Sequence, residues 1–173
     1  MIHIYAIGLG GNRRHGRYGA PSAVLHAAIA QLRPIARSGI LTSDPLGPSL
    51  RRFANAAILI ESPLAPPALL AQLKMIERAF GRRRGRRWGE RVLDLDILLW
   101  SGGHWRDRAL QIPHRSLSQR RFALDPLRQI APKWRISDMR TVRQQAARLT
   151  QPRPAHRSVA GRVRSSVGRA SDF

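Results

Sequence analysis

Read for the spacing of its apolar positions, the chain alternates between strand-like and helix-like stretches. Ile2-His3-Ile4-Tyr5-Ala6-Ile7 reads as a first strand, ending at the glycine-rich turn Gly8-Leu9-Gly10-Gly11-Asn12. Pro21 and Ser22 then open a helix whose apolar positions Val24, Leu25, Ala28, Ile29 and Leu32 fall on one face. Gly39-Ile40-Leu41-Thr42 is a short candidate strand before the turn Asp44-Pro45-Leu46-Gly47-Pro48, and Phe53 to Glu61 is a longer one. Pro66-Pro67 start a second helix with Leu69, Leu70, Leu73, Ile76 and Phe80 on its apolar face, and Gly81 stops it. Val92 to Trp100 is again strand-like, rich in branched apolar residues. Beyond the turn at Ser101-Gly102-Gly103, Arg108 to Ile112 suits a returning hairpin partner. A short helical stretch runs from Arg120 through Leu127, and Thr141 to Leu149 is a last amphipathic helix.

Composition narrows the class. The 173 residues suffice for one domain with a real core. With no cysteine, disulfides and thiolate metal sites are excluded, and no apolar run approaches the ~20 residues of a membrane span. Ile2 to Leu9 lacks a basic leader and makes a poor signal peptide, so a soluble cytoplasmic protein is expected. The formal net charge of +21 comes from 29 Arg and only 2 Lys, Lys74 and Lys133. Such a field attracts polyanions. The arginines are spread along the chain, however, as a GC-rich source would spread them, and are not gathered on one element. From Gln151 to Phe173 apolar periodicity is lost, and a basic, disordered tail is expected.

The chemistry concentrates between Gly81 and Trp100. Six arginines (82, 83, 84, 86, 87 and 91) stand among Gly81, Gly85 and Gly89, directly upstream of the strand. Side chains two apart on a strand share a face. Leu93, Leu95, Ile97 and Leu99 would therefore line one face, with Asp94 and Asp96 together on the other. Two carboxylates roughly 7 Å apart repel when ionised, which calls for a cation between them. Mg2+ takes one or two protein carboxylates and completes its octahedron with water and phosphate oxygens, while arginine forks pair with the remaining phosphate oxygens. The pattern suits a metal-bridged polyphosphate site, although an ordinary half-buried strand beside a surface charge run shows the same alternation. Asn55, the one amide in an apolar strand, either satisfies neighbouring backbone or recognises a heterocycle.

The block Arg87-Trp88-Gly89-Glu90-Arg91-Val92-Leu93-Asp94-Leu95-Asp96-Ile97-Leu98 closely resembles the signature of the 6-hydroxymethyl-7,8-dihydropterin pyrophosphokinase family of folate biosynthesis. Gly8 to Asn12, Ser43-Asp44-Pro45-Leu46-Gly47, Phe53-Ala54-Asn55, Ile76-Glu77 with Gly81-Arg82, Ile112-Pro113-His114 and Arg120 to Leu127 follow the family's order and spacing. The resemblance covers residues 2 to 135 in one collinear pass. It implies transfer of a diphosphoryl group from ATP to the pterin's hydroxymethyl, with AMP released and two Mg2+ ions bound. By the same resemblance Asp94 and Asp96 hold the metals, and Asn55 binds the pterin edge between the rings of Phe53 and Phe122. Ser43, Pro45 and Leu46 belong to the pterin side. Arg82 and Arg91 are the catalytic arginines; Arg84, His114 and Arg120 contact the triphosphate, and Glu77 the nucleotide side. Trp88 rides on a loop that closes over the reactants.

That family's fold is α+β and ferredoxin-like, an antiparallel-rich sheet with helices packed on it. The strand–helix–strand–strand–helix–strand order from Ile2 to Trp100 agrees. Residues 1–150 would form the catalytic domain and 151–173 the tail. The expected partners are the small molecules ATP and hydroxymethyl-dihydropterin, with a monomeric protein, no membrane and no nucleic acid. Departures from the family pattern are Gly11 in place of serine, Arg13-Arg14 in place of an apolar-Gly pair, Glu90, and Arg115 after His114. Two other readings compete. A two-metal nucleotidyltransferase or nuclease also uses paired aspartates, but its Gly-Ser helix start is missing upstream. A basic nucleic-acid-binding protein would have no use for two facing carboxylates.

Overall fold

The computed structural model describes residues 1–44, 51–81 and 91–150. The tail expected over 151–173 lies outside them. A single antiparallel sheet organises the chain. Strand β1 (His3–Gly11) sits between β4 (Phe53–Ser62) and β5 (Asp94–Trp100). Two short strands, β2 (Ala36–Arg37) and β3 (Leu41–Ser43), share the far edge of β4. Helix α1 (Pro21–Leu32) links β1 to β2, and α2 (Pro66–Ala79) links β4 to β5. This is the ferredoxin-like α+β arrangement expected from the order of elements. Both helices carry a proline in the first turn, where the missing N–H costs nothing.

Each strand buries one face against α1 and α2. Tyr5, Ile7 and Leu9 of β1, Ala54, Ala56, Ile58 and Ile60 of β4, and Leu93, Leu95 and Ile97 before and on β5 meet Val24, Leu25, Ile29, Leu69 and Leu73. Full burial of each Leu or Ile contributes about 1.5–3 kcal/mol relative to exposure, so this layer dominates the fold's stability. A second layer covers only part of the opposite face. There Ala6, Ala57, Leu98 and Leu99 pack on α3 (Arg121–Ile130) and α4 (Val142–Thr150) through Leu124, Leu127, Val142 and Ala146.

Several expected elements shift. β1 does not end at Ile7 but continues through the glycines, pairing with β5 as far as Gly10 and with β4 as far as Gly11. Glycine is a poor strand former, but flanking strands on both sides hold these residues extended. The alternation of β5 also breaks. Ala6 pairs with Leu99 and Ile7 with Ile97, leaving Leu98 as the extra residue of a bulge. Leu99 therefore turns to the α3 side, and Trp100 packs on the α1–α2 side instead. The hairpin partner expected over Arg108–Ile112 shrinks to β7 (Gln111–Ile112), which pairs with β6 (Trp105–Arg106). Its loop is held by Asp107, whose carboxylate accepts the N–H groups of Ala109 and Leu110. A small β8 (Arg135–Ser137) and β9 (Arg140–Thr141) hairpin precedes α4.

Candidate active site

Where α3 and α4 stop covering the sheet, a cavity of about 510 Å³ opens over its bare end. The floor follows from register. Gly10 lies between Asn55 on β4 and Asp94 on β5, and Gly8 between Ala57 and Asp96. With neighbouring strands ~4.8 Å apart, Asn55 and Asp94 face each other across one glycine. A methyl group at Gly10 would lie 3.6 Å from Asn55 Oδ1, and one at Gly8 would meet Leu98 at 3.2 Å. The glycines thus keep the middle of the floor low. Gly11 has another role: a Cβ there would stand 2.4 Å from the Val92 carbonyl oxygen. In this chain the position cannot accept the family's serine without moving backbone.

Nine of the expected site residues line this cavity: Ser43, Phe53, Asn55, Arg91, Asp94, Asp96, His114, Arg120 and Phe122. Arg82, Arg84, Trp88, Pro45 and Leu46 lie outside the described residues. Asn55 is 3% exposed, and its amide donates to Ser43 Oγ at 2.8 Å and to the Phe53 carbonyl at 3.4 Å. Neighbouring backbone and a hydroxyl thus hold the amide, and the residue also borders the cavity. Among the described residues neither Phe53 nor Phe122 has an aromatic neighbour, while the Arg120 guanidinium sits 5.7 Å from the Phe122 ring centre. Arg120 occupies the N-cap of α3 in an extended conformation, which turns it and Phe122 to the same side.

His114 is placed by its own backbone, whose N–H donates to the carbonyl of the bulged Leu98 at 3.0 Å. Its Nδ1 accepts from the Ser116 N–H at 3.2 Å, which leaves the proton of a neutral ring on Nε2. Burial lowers its pKa, and the Asp96 carboxylate pulls the other way. A neutral ring with one outward donor suits a phosphate oxygen. Arg91 is fixed at its backbone by Asn12, whose Oδ1 accepts the Arg91 N–H and whose N–H returns to the Arg91 carbonyl, both at 2.9 Å. The Arg91 side chain then pairs with Asp94 Oδ2.

Glu77 stands apart from the cavity. It is 1% exposed behind β5, where Oε1 accepts the Leu95 N–H at 2.7 Å and the Lys74 ammonium at 2.6 Å. Burial raises its pKa and Lys74 opposes the rise. Lys74 also donates to the Leu95 carbonyl at 3.1 Å. These two side chains thus take both backbone groups of Leu95 on the free edge of β5. The same ammonium lies 4.0 Å from Asp94 Oδ1 and 3.9 Å from Asp96 Oδ1. Sequence reasoning called for a cation between the aspartates and looked to the arginine loop. It missed Lys74, whose three-residue spacing from Glu77 on α2 was the available signal. Asn12 was missed as the anchor of Arg91.

The carboxylates fit a hard cation. Their side chains are 19% (Asp94) and 39% (Asp96) exposed, on one strand face and with oxygen donors only. Among the described residues no group of three or more His, Cys, Asp or Glu could hold a metal. A bound Mg2+ would thus draw its other ligands from water and phosphate. No helix among the described residues is long and apolar enough to cross a membrane.

Known proteins share both the sequence and the fold. Residues 6–132 match the 7,8-dihydro-6-hydroxymethylpterin-pyrophosphokinase (HPPK) family. The chain is 41% identical over 145 residues to the 2-amino-4-hydroxy-6-hydroxymethyldihydropteridine pyrophosphokinase of Methylorubrum extorquens, covering 83% of this chain and 91% of that one. The Haemophilus influenzae protein of the same name is 40% identical over 138 residues, covering 76% and 82%. A crystal structure of Plasmodium falciparum HPPK-DHPS superposes with a TM-score of 0.63 at 12% identity, over 86% of this chain and 44% of that one, and so shares the fold. This chain belongs to the HPPK family.

Proposed function

We propose that this enzyme transfers a diphosphoryl group from ATP to the hydroxymethyl oxygen of 6-hydroxymethyl-7,8-dihydropterin, in folate biosynthesis, and releases AMP. The hydroxymethyl oxygen bonds to the β-phosphorus of ATP and loses its proton. The bond from that phosphorus to the α–β bridging oxygen breaks, and AMP leaves with the bridging oxygen. The observation that carries this reading is the row Asn55–Gly10–Asp94 across three adjacent strands. An amide one glycine away from a carboxylate supports a site that takes a flat heterocycle beside a phosphate-bound cation. Phosphoryl transfer needs such placement and charge neutralisation more than covalent help.

Within this scheme Asn55 holds the pterin edge, supported by Ser43, and Pro45 and Leu46 also serve pterin binding. Phe53 and Phe122 pack against the ring. Asp94 and Asp96 hold two Mg2+ ions, which neutralise phosphate charge when bound. Arg82 and Arg91 stabilise the charge moved in the transfer, and Arg84, Arg120 and the Nε2–H of His114 donate to the triphosphate. Arg91 exchanges Asp94 for a phosphate oxygen as the site fills. Trp88 shields the reactants from water. Glu77 serves the nucleotide side through Lys74 and Leu95. Residues 1–150 are the catalytic domain, acting as a cytoplasmic monomer. An AMP-release assay with ATP, Mg2+ and hydroxymethyl-dihydropterin tests the reading. AMP should appear only when all three are present, and AMP release indifferent to the pterin would sink it.

A further inference from the structure

The metal-binding reading of Asp94 and Asp96 does not account for the ammonium beside them. Lys74 approaches from α2 round the free edge of β5, with its side chain 34% exposed. Two of its donors are taken by Glu77 Oε1 and the Leu95 carbonyl. Those bonds fix the ammonium where it is nearly equidistant from Asp94 Oδ1 and Asp96 Oδ1. Neither distance is a hydrogen bond; the interaction is one of charge. The chain uses arginine at all but two of its basic positions, yet a lysine stands here. A compact ammonium is a point charge and fits a spot bounded by two carboxylates, a buried carboxylate and a carbonyl.

We propose that Lys74 is a positioning residue that acts as built-in counter-ion of the metal-binding pair and sets the metal concentration at which the site fills. It offsets the repulsion between the two aspartates before any cation arrives, so they keep a common orientation. The same charge repels an incoming divalent ion. Because Glu77 and Leu95 hold the ammonium from behind, it stays in place and opposes the cation in the loaded site too. The device selects for a cation that brings its own negative ligands. A metal already carrying polyphosphate meets far less opposition than the free ion, so filling of the site is tied to arrival of the nucleotide.

The inference rests on Asp94 and Asp96 being the metal carboxylates, and the experiment separates the two claims. Mn2+ binding to the full chain is followed by the electron paramagnetic resonance signal of the free ion, with no nucleotide present. Lys74→Met should tighten Mn2+ binding by roughly 10- to 100-fold, as expected for loss of one positive charge at this range. Lys74→Arg keeps the charge and should stay near wild type, as should Lys133→Met at the only other lysine, which is exposed. The double variant Lys74→Met/Glu77→Gln leaves no unpaired buried carboxylate. It should still bind Mn2+ more tightly than wild type, even where the single variant folds poorly. Unchanged or weaker Mn2+ binding in both Lys74→Met backgrounds overturns the counter-ion role, since a purely structural lysine would lower thermal stability without changing metal affinity. Mn2+ binding that survives Asp94→Asn and Asp96→Asn unaltered, or its absence from wild type and both Lys74→Met backgrounds alike, overturns the metal reading itself.

Discussion

The two faces of the sheet are built from alternate residues of the same three strands, yet they do opposite things. On the α1–α2 side, Tyr5, Ile7 and Leu9 sit in an unbroken apolar layer. On the other side the same strand offers Ala6, Gly8 and Gly10, and only Ala6 is covered by α3 and α4. One face therefore supplies stability by area, and the other supplies a floor low enough for reactants. Because the period is two, each strand can carry both duties without compromise. Stability and chemistry should then be separable by neighbouring substitutions.

The sharpest break in this contrast is between Asp96 and Leu95. Asp96→Asn should reduce AMP release by about 10²–10³-fold or more while leaving the metal-free melting temperature within a few degrees, roughly as wild type. Leu95→Ala should do the reverse, costing about 2–5 kcal/mol in urea unfolding with kcat of the folded fraction little changed. Variants that lose both properties together would mean the faces are coupled through β5.

A second pair tests the floor. Gly11→Ala forces a methyl group against the Val92 carbonyl and should destabilise by about 1–3 kcal/mol. Gly10→Ala meets only Asn55 at ordinary contact distance, so its melting temperature should hold while KM for the pterin rises. Phe122→Ala is a smaller perturbation. It should weaken pterin binding by about 1–3 kcal/mol, if base–aromatic stacking is a guide, and leave nucleotide binding nearly unchanged. Isothermal titration of each ligand separates the two.

The smallest effect lies away from both faces. The Asp107 carboxylate accepts the Trp105 indole N–H and two backbone N–H groups, which hold its pKa below the usual carboxylate range. A depressed folded pKa means that this contribution is complete above the ordinary value and lost as pH falls through the depressed one. Asp107→Asn should remove that segment of the acid limb from a plot of melting temperature against pH.

Much of this was legible because it depends on local period. The strand face of Asp94 and Asp96, the apolar faces of α1, α2 and α4, and the breaks at Gly81 and Pro66 all follow from neighbours in sequence. What depended on partners was not. Gly8 to Gly11 read as a turn because a strand with three glycines needs two flanking strands to hold it. Leu99 was assigned to the wrong face because a bulge at Leu98 is a property of the pairing with β1. Lys74 could not be linked to Asp94 until the edge of β5 was known to lie under α2.

The free edge of β5 has a consequence outside catalysis. An edge strand with open N–H and C=O groups is a template on which a strand from another molecule can add. At Leu95 both groups are already taken, by Glu77 and Lys74. The pair that holds the site's charges thus also keeps apolar β5 from recruiting a sister chain, so losing it would expose the strand to edge-to-edge aggregation.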